Sequence, residues 1–270
     1  MLSTRHPLRV VVFGSRRAPG IADLLADPLR GRIWELSGVL ASDDDFRDGS
    51  AVEAAGVPLV LHSIRRFCAR GRRPLSDLAA RGDYDRESAE LVEVWRPDLI
   101  LLSGYLLVLT RPMLEAYPNR LVNIHGSDLT ALGPCGEPRY LGLRAVEEAI
   151  LAGEKETRAT AHFVTAAVDL GPPILRSRAF PVSPLVEAAR ARRDVRMLKA
   201  YAFAHQEWML HEAWGPLAKG LVHLVAGGRL PVGPAAVEGR PLLSISERGP
   251  LIESNVAMAR SVRPTLQEAR

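Results

Sequence analysis

The feature that most constrains the fold is a regular alternation of short apolar runs with segments of helical spacing. The runs Leu8 to Phe13, Leu36 to Ala41 and Val57 to Leu61 have the length of buried strands. Apolar residues at helical spacing lie between them, as in Ile21 to Leu29. Parallel strands need crossover connections, which are usually helices, so this alternation predicts a parallel, doubly wound α/β sheet.

The second half of the sequence predicts that the sheet is mixed rather than purely parallel. Asp98 to Gly104 is apolar along its length, as expected for a strand buried on both faces, and Leu121 to His125 follows as a fifth strand. Ala159 to Thr165 and Ile174 to Val182 are close enough in sequence to form a hairpin. We therefore predict a Rossmann-like, mostly parallel sheet with helices on both faces and a C-terminal antiparallel hairpin.

Three helices have sequence signals that locate their ends. Asp85 is a candidate N-cap for the helix before Pro97, and Gly153 is a candidate C-cap for a helix over Leu141 to Ala152. One long helical region is predicted from Pro184 to Ala226, with a break at Gly215-Pro216. We expect a catalytic domain over residues 1–226 and an appendage over 227–270, with a small strand at 242–246.

Composition excludes several classes of function. The 270 residues are 47% apolar and 24% charged, as in an ordinary globular protein. The net charge of +4 comes from scattered arginines and only 6% of residues are aromatic, so we do not expect nucleic-acid binding. Cys68 and Cys135 are far apart and have no metal-ligand spacing, which favours a reducing compartment and no zinc site.

The N-terminal residues lead directly into the first strand and contain no signal-peptide core. No apolar stretch approaches the roughly 18 residues that a membrane span needs. We therefore expect a cytoplasmic protein that does not bind a membrane.

Polar residues near the strand ends are candidates for catalysis. Asn123 and His125 are two residues apart on a strand and so project from the same face. Taken alone, they are better explained as a hydrogen-bonded pair that closes a loop, and Asp169-Leu170-Gly171 is an ordinary turn pattern. Together they supply an amide donor, a proton carrier and a carboxylate. Because an aspartate beside a histidine raises its pKa, we expect Asp169 to keep His125 protonated.

The order of these motifs resembles the folate-dependent formyltransferase family, which includes phosphoribosylglycinamide formyltransferase. Asn-x-His-x-Ser is followed by a helix, then Thr160-Ala161-His162-Phe163-Val164, then Asp-x-Gly, and the run Pro97 to Leu109 precedes them. The similarity extends from about Leu8 to about Leu230.

The resemblance implies a site and a co-substrate. Asn123, His125 and Asp169 correspond to the family's catalytic residues, and 10-formyltetrahydrofolate is the implied formyl donor, with no metal. The resemblance places the folate pocket on backbone after the fourth strand and before the aspartate, at Tyr105, Leu107, Val108, Leu109, Ala167 and Val168.

The implied acceptor is a small-molecule amine that carries a phosphate, such as phosphoribosylglycinamide. This sequence departs from the family at the loop Gly14 to Gly20, where arginines replace a glycine- and serine-rich phosphate loop, and after His125, where two prolines are absent. Arg158 also stands where the family often has glycine, and Glu207, His211 and Glu212 compete for the family's late glutamate. Our candidate acceptor contacts are Ser15, Arg16, Arg17, Ser127, Asp128 and Glu207.

The sequence also allows other functions. Water in place of the amine would make the chain a formyltetrahydrofolate hydrolase, and the altered loops also fit a folate- or nucleotide-binding module without turnover. A nicotinamide oxidoreductase is disfavoured, because the loop after the first strand has only Gly14 and Gly20 and lacks the three-glycine fingerprint. Oligomeric state is open between monomer and homodimer.

Overall fold

The computed structural model describes residues 6–233, 243–246 and 249–252. Its strands are β1 (Leu8–Gly14), β2 (Trp34–Ala41), β3 (Leu59–Leu61), β4 (Leu99–Leu102), β5 (Leu121–His125), β6 (Glu156–Thr157), β7 (Thr160–Phe163), β8 (Pro173–Arg176), β9 (Phe180–Pro181), β10 (Leu243–Ser246) and β11 (Gly249–Ile252). Its helices are α1 (Ile21–Leu25), α2 (Gly49–Ala54), α3 (Ile64–Arg70), α4 (Leu78–Glu93), α5 (Arg111–Ala116), α6 (Ala145–Ala152), α7 (Leu185–Ala191) and α8 (Val195–Ala226).

The main sheet has nine strands in the order β11-β10-β8-β7-β5-β4-β1-β2-β3. Strands β1 to β5 pair in parallel, while β7 pairs antiparallel with both β5 and β8. Two further short strands, β6 and β9, form a separate antiparallel ladder. The predicted fold class, a mostly parallel sheet with a C-terminal antiparallel hairpin, is confirmed.

Helices cover both faces of the sheet, as the apolar strands require. Val10 and Val12 of β1 pack on one side with α1, α6 and α8, and Val11 and Phe13 pack on the other side with α4 and α5. Alternate residues of β4 divide between the same two cores. Both faces of β1 and β4 are therefore buried, which explains why neither strand shows an alternating polar pattern.

The predicted cap at Asp85 is wrong. Helix α4 begins at Leu78, and its N-cap is Asp77, whose carboxylate accepts hydrogen bonds from the backbone of Ala79 and Ala80. Asp85 lies inside the helix and is fully buried, where it accepts hydrogen bonds from Thr110 and pairs with Arg81. In the sequence, an aspartate buried inside a helix cannot be told from an N-cap aspartate, because each is a short polar side chain next to apolar residues.

The predicted break at Gly215-Pro216 is also wrong. Helix α8 runs through both residues, and the interruption lies earlier, where Arg193 has a left-handed φ of 54°. Asp194 caps the new helix by accepting a hydrogen bond from the Met197 backbone. Gly215 instead lets α8 approach α1, since a side chain there would overlap the Asp23 carboxylate.

Several helices and strands begin or end at residues other than those predicted. The helix expected from residue 141 begins at Ala145 and ends at the left-handed Gly153, as predicted. The run 174–182 divides into β8 and β9, which belong to different sheets. Helices α3 and α5 were not predicted. In the region after residue 226, β10 pairs with β8 and β11 pairs with β10, so both extend the main sheet.

This topology places a site at the carboxyl ends of β1, β4 and β5. The chain leaves β1 for β2 on one side, whereas β4 and β5 lie on the other, so strand order reverses beside β1. In doubly wound sheets, ligands bind in the crevice at such a reversal. Because β7 runs antiparallel to β5, the β7–β8 loop begins beside the amino end of β5, and it folds back to bring Asp169 within 3.4 Å of His125 at the carboxyl end.

The close packing around Gly171 in the β7–β8 loop gives a prediction about stability. A Cβ at this position would overlap the carbonyl oxygen of Phe163, so we expect Gly171→Ala to lower the free energy of unfolding by about 2 kcal/mol. Urea denaturation measures this change. Gly82→Ala in α4 is the control, because open space surrounds Gly82 and alanine favours the helix. Equal stability of the two variants would contradict the packing.

Candidate active site

A cavity of about 760 Å³ opens at the carboxyl ends of β4 and β5. Part of the lining is apolar and unusually exposed, since the side chains of Leu106, Leu143 and Phe203 are 56%, 71% and 70% exposed. The floor holds the polar side chains Asn123, His125, His162 and Asp169. The cavity therefore combines an apolar surface with a small polar cluster, the usual composition of a small-molecule site.

Asp169 and His125 meet at the floor of the cavity. Asp169 Oδ2 lies 3.4 Å from His125 Nδ1 and accepts a 2.9 Å hydrogen bond from the backbone of Gly142. The backbone of Asp169 is left-handed, with φ of 56°, and this turns its carboxylate toward the β5 strand end. His125 Nε2 is buried and has no hydrogen-bond partner within the described ranges. The hydrogen-bonding capacity of this imidazole nitrogen is therefore not used by the described part of the fold.

Asn123 is held by His162 on the neighbouring strand. The two residues are direct partners in the β5–β7 register, and Asn123 Nδ2 lies 3.1 Å from His162 Nε2. His162 Nδ1 donates to the carbonyl of Phe163, so its Nε2 carries no hydrogen and accepts from the Asn123 amide. This network assigns the orientation of the amide and leaves the second Nδ2 hydrogen of Asn123 for a ligand.

Burial controls the charge of both histidines. It lowers the pKa of His162 to about 4, with the neighbouring His125 adding to the effect, so His162 is neutral at pH 7. Burial also lowers the pKa of His125, although the Asp169 charge and a main-chain hydrogen bond with Tyr140 partly oppose it. The expectation that Asp169 keeps His125 protonated is therefore wrong, because desolvation of the imidazolium outweighs the carboxylate.

The residues predicted to bind folate mostly line the cavity. Tyr105, Leu107, Val108, Leu109 and Val168 do so. Ala167 does not line the cavity, because its carbonyl closes the turn by accepting from Thr165 and Leu170.

Two contacts fix the loop that follows β4. The Val108 carbonyl accepts a 2.6 Å hydrogen bond from Arg81, so it is not free for a ligand. At the start of the loop, Ser15 accepts from the backbone of Leu106 and bonds to the hydroxyl of Ser42. Ser15 is buried and holds the loop rather than facing the cavity.

The predicted acceptor contacts divide into two groups. Arg16, Arg17 and Glu207 line the cavity, and both guanidinium Nη atoms of Arg17 bond to the Glu207 carboxylate at 2.9 and 2.6 Å. Of the late candidates, His211 and Glu212 lie outside the lining.

Ser127 and Asp128 also lie outside the cavity. The Ser127 hydroxyl donates to the carbonyl of Tyr140. Asp128 accepts from Thr130 and Arg176, and it lies 3.8 Å from Arg158. Their hydrogen bonds are used within the fold, so we omit both from the proposed site.

Sequence reasoning missed three residues of the site. His162 stands in a motif that was noted, but only the strand register shows that it holds Asn123. Arg47, in the loop after β2, and Trp214, in α8, also line the cavity, and neither stands in a recognisable motif. Trp214 is buried, and its indole nitrogen has no hydrogen-bond partner in the part of the chain that is described.

The fold and the site define a doubly wound α/β protein with an Asn–His–Asp cluster in a large cleft. A family model described as Formyl transferase matches residues 8–203. Because this match spans more than half of the 270 residues, the chain belongs to the formyl transferase family. The resemblance to the formyltransferase family is therefore confirmed at the level of the family.

Relatives of two kinds are similar to this chain. The glycinamide ribonucleotide transformylase 1 of Symbiobacterium toebii superposes with a TM-score of 0.59 at 29% identity, covering 87% of this chain and 94% of that one. The formyltetrahydrofolate deformylase of Escherichia coli K12 is 29% identical over 169 residues, which is 62% of this chain and 52% of the relative. Phosphoribosylglycinamide formyltransferase of the same strain is 34% identical over 99 residues, 37% of this chain and 43% of the relative. The chain thus spans about half the length of the curated relatives it matches.

The described ranges contain no candidate membrane span and no candidate metal site. None of the helices there combines the length and apolar character that crossing a bilayer requires. None of the groups of His, Cys, Asp and Glu side chains in the same ranges is arranged to hold a metal ion.

The opposed effects on His125 give a testable direction. We expect Asp169→Asn to lower the pKa of His125 further, because the variant removes the charge that partly offsets burial. The protonation midpoint of His125, followed by NMR of its ring protons, should therefore move to more acidic pH. Asp128→Asn is the control, since Asp128 lies outside the cavity and should leave the midpoint unchanged. A midpoint that rises in Asp169→Asn would contradict the assignment.

Proposed function

We propose that this chain transfers a formyl group from 10-formyltetrahydrofolate to a primary amine. The observation that carries the proposal is the convergence of Asn123, His125 and Asp169 on the floor of one cavity. Asn123 and His125 are two residues apart on β5, and the β7–β8 loop brings Asp169, which is distant in sequence, next to His125. Membership of the formyl transferase family supplies the class of reaction.

The cavity suits the two parts of the donor. The apolar lining residues Leu106, Leu143, Val168 and Phe203 offer surface for the aromatic rings of a folate. The polar floor then lies beside the reactive formyl group. A volume of about 760 Å³ is in the range of sites for cofactor-sized ligands.

Asn123 stabilises the oxyanion that forms in the first step. An uncharged amine attacks the formyl carbon and gives a tetrahedral oxyanion. The free Nδ2 hydrogen of Asn123 donates to that oxygen, while His162 holds the amide in place. One such preorganised donor typically contributes roughly 3 kcal/mol to lowering the barrier.

His125 moves the proton. It is neutral before the reaction because burial lowers its pKa, so Nε2 accepts the proton that the attacking amine loses. Asp169, 3.4 Å from Nδ1, stabilises the imidazolium that forms. The bond between the formyl carbon and N10 then breaks, and the proton passes from His125 to N10. The products are the formylated amine and tetrahydrofolate.

Phosphoribosylglycinamide is the first acceptor to test, because relatives that include the Symbiobacterium protein are named for it. A second function is favoured by the deformylase relatives, whose name indicates that they act on formyltetrahydrofolate. In that case water replaces the amine, and the same three residues activate it.

Release of tetrahydrofolate separates these functions. The chain is incubated with 10-formyltetrahydrofolate, with and without phosphoribosylglycinamide. Release that requires the amine is the result we expect. Release without any amine would establish hydrolysis instead, and no release with this or other primary amines would contradict formyl transfer.

The role of His125 predicts a large kinetic effect. His125→Ala should reduce kcat by a hundredfold or more, because the proton of the attacking amine then has no acceptor at Nε2. His211→Ala is the matched control, since its side chain is 86% exposed and lies outside the cavity. A loss below tenfold in His125→Ala would count against the role of proton carrier.

A further inference from the structure

The turn between β1 and α1 has a composition unlike an anion site. In doubly wound folds, this turn commonly binds phosphate through free backbone N–H groups at the start of the helix. Here the N–H of Ala18 donates a 2.7 Å hydrogen bond to the Asp48 carboxylate, and the N–H of Ser15 donates to the carbonyl of Gly104. Pro19 has no N–H at all. A negative group of the chain itself therefore occupies the position of an anion.

Tight packing, in addition to the hydrogen bonds, leaves no room for an anion at this turn. Ala18 is fully buried. Gly104 approaches so closely that a Cβ there would lie 2.7 Å from Pro19 and 2.9 Å from the Arg17 carbonyl. Helix α1 has only five residues, and its first turn carries the further negative charge of Asp23. Space and charge both oppose a phosphate here.

Guanidinium groups lie at the cavity mouth beside this closed turn. Arg16, Arg17 and Arg47 line the cavity, and the backbone of Arg47 donates to the carbonyl of Arg16, which holds the two residues together. Arg17 is neutralised by Glu207 and Arg16 pairs with Asp45. Among the described residues, no carboxylate forms a direct ion pair with Arg47, although its charge acts on the nearby Asp45 and Glu207. Its guanidinium is therefore less committed within the fold than those of Arg16 and Arg17.

We propose that Asp48 closes the β1–α1 turn to anions and that the acidic group of the acceptor binds to Arg47 and Arg16 instead. Guanidinium forks bind phosphate and carboxylate groups through paired hydrogen bonds, so the chemistry of the ligand is an oxyanion. This inference rests on the proposed function for the identity of the acceptor, but binding of an oxyanion does not depend on turnover. Asp48 and Arg47 are thus specificity-determining residues.

Inorganic phosphate is the probe. Its dissociation constant is measured by NMR titration of the arginine Nε–H signals in the wild type, Arg47→Gln and Asp48→Asn, without any folate. Phosphate should bind the wild type, and Arg47→Gln should weaken it about tenfold, because a charge-assisted hydrogen bond is lost. Asp48→Asn should bind phosphate at least as tightly as the wild type, since the variant removes a negative charge beside the turn while asparagine still accepts from Ala18. Arg32→Gln is the control, because Arg32 is exposed and lies just before β2, at the amino ends of the strands and so away from the cavity.

The same titration defines the contrary result. No phosphate binding by the wild type, a change below twofold in Arg47→Gln, or a loss of tenfold or more in Asp48→Asn would overturn the inference. Acetate in place of phosphate distinguishes the two oxyanions: the proposal holds if Arg47→Gln weakens whichever of them binds more tightly. If phosphate binds as proposed but no tetrahydrofolate is released, formyl transfer fails and the anion site stands. If formyl transfer occurs but Arg47→Gln leaves phosphate binding and the acceptor KM unchanged, only the anion site fails.

Discussion

The site depends on how the Asp169 carboxylate is held next to His125. A buried carboxylate is costly unless hydrogen bonds or a positive charge satisfy it. The Gly142 backbone supplies one hydrogen bond, and the imidazole 3.4 Å away supplies a group that can become positive. The left-handed backbone of Asp169 and the crowded Gly171 give the β7–β8 loop the shape that this contact needs. Without this loop, Asn123 and His125 would be an ordinary polar pair at the end of a strand.

The balance between burial and charge then decides how the histidine acts. Burial lowers the pKa of His125 and Asp169 opposes the change without reversing it, so the resting imidazole is neutral and ready to accept a proton. His162 is also neutral, and it serves as a hydrogen-bond acceptor that aims the amide of Asn123. Two histidines with similar burial therefore have different tasks, because one has a free nitrogen at the cavity and the other has both nitrogens occupied.

The sequence predicted the donor end of the site better than the acceptor end. The strands over residues 8–13 and 121–125 follow from local apolar runs, and the loop residues 105–109 line the cavity because they follow a buried central strand. The acceptor end depends on long-range contacts that no local pattern shows. Examples are the bond between Arg17 and Glu207, 190 positions apart, and the capture of the Ala18 N–H by Asp48.

The errors have the same physical origin. Asp85 resembles a cap in sequence, but it is buried inside α4, where it pairs with Arg81 one turn earlier and accepts a tertiary hydrogen bond from Thr110. Ser15 and Ser127 look like ligand contacts, but both complete hydrogen bonds within loops. The pKa of His125 was predicted in the wrong direction because the partner carboxylate is visible in the sequence, whereas the extent of burial is not.

The most direct test of the central claim is a crystal structure of the chain with a stable analogue of 10-formyltetrahydrofolate. The account predicts that the formyl oxygen lies within hydrogen-bond distance of Asn123 Nδ2, that His125 Nε2 faces the formyl carbon, and that the folate rings lie along Leu106 and Val168. A folate bound elsewhere, or one whose formyl group points away from Asn123 and His125, would contradict it.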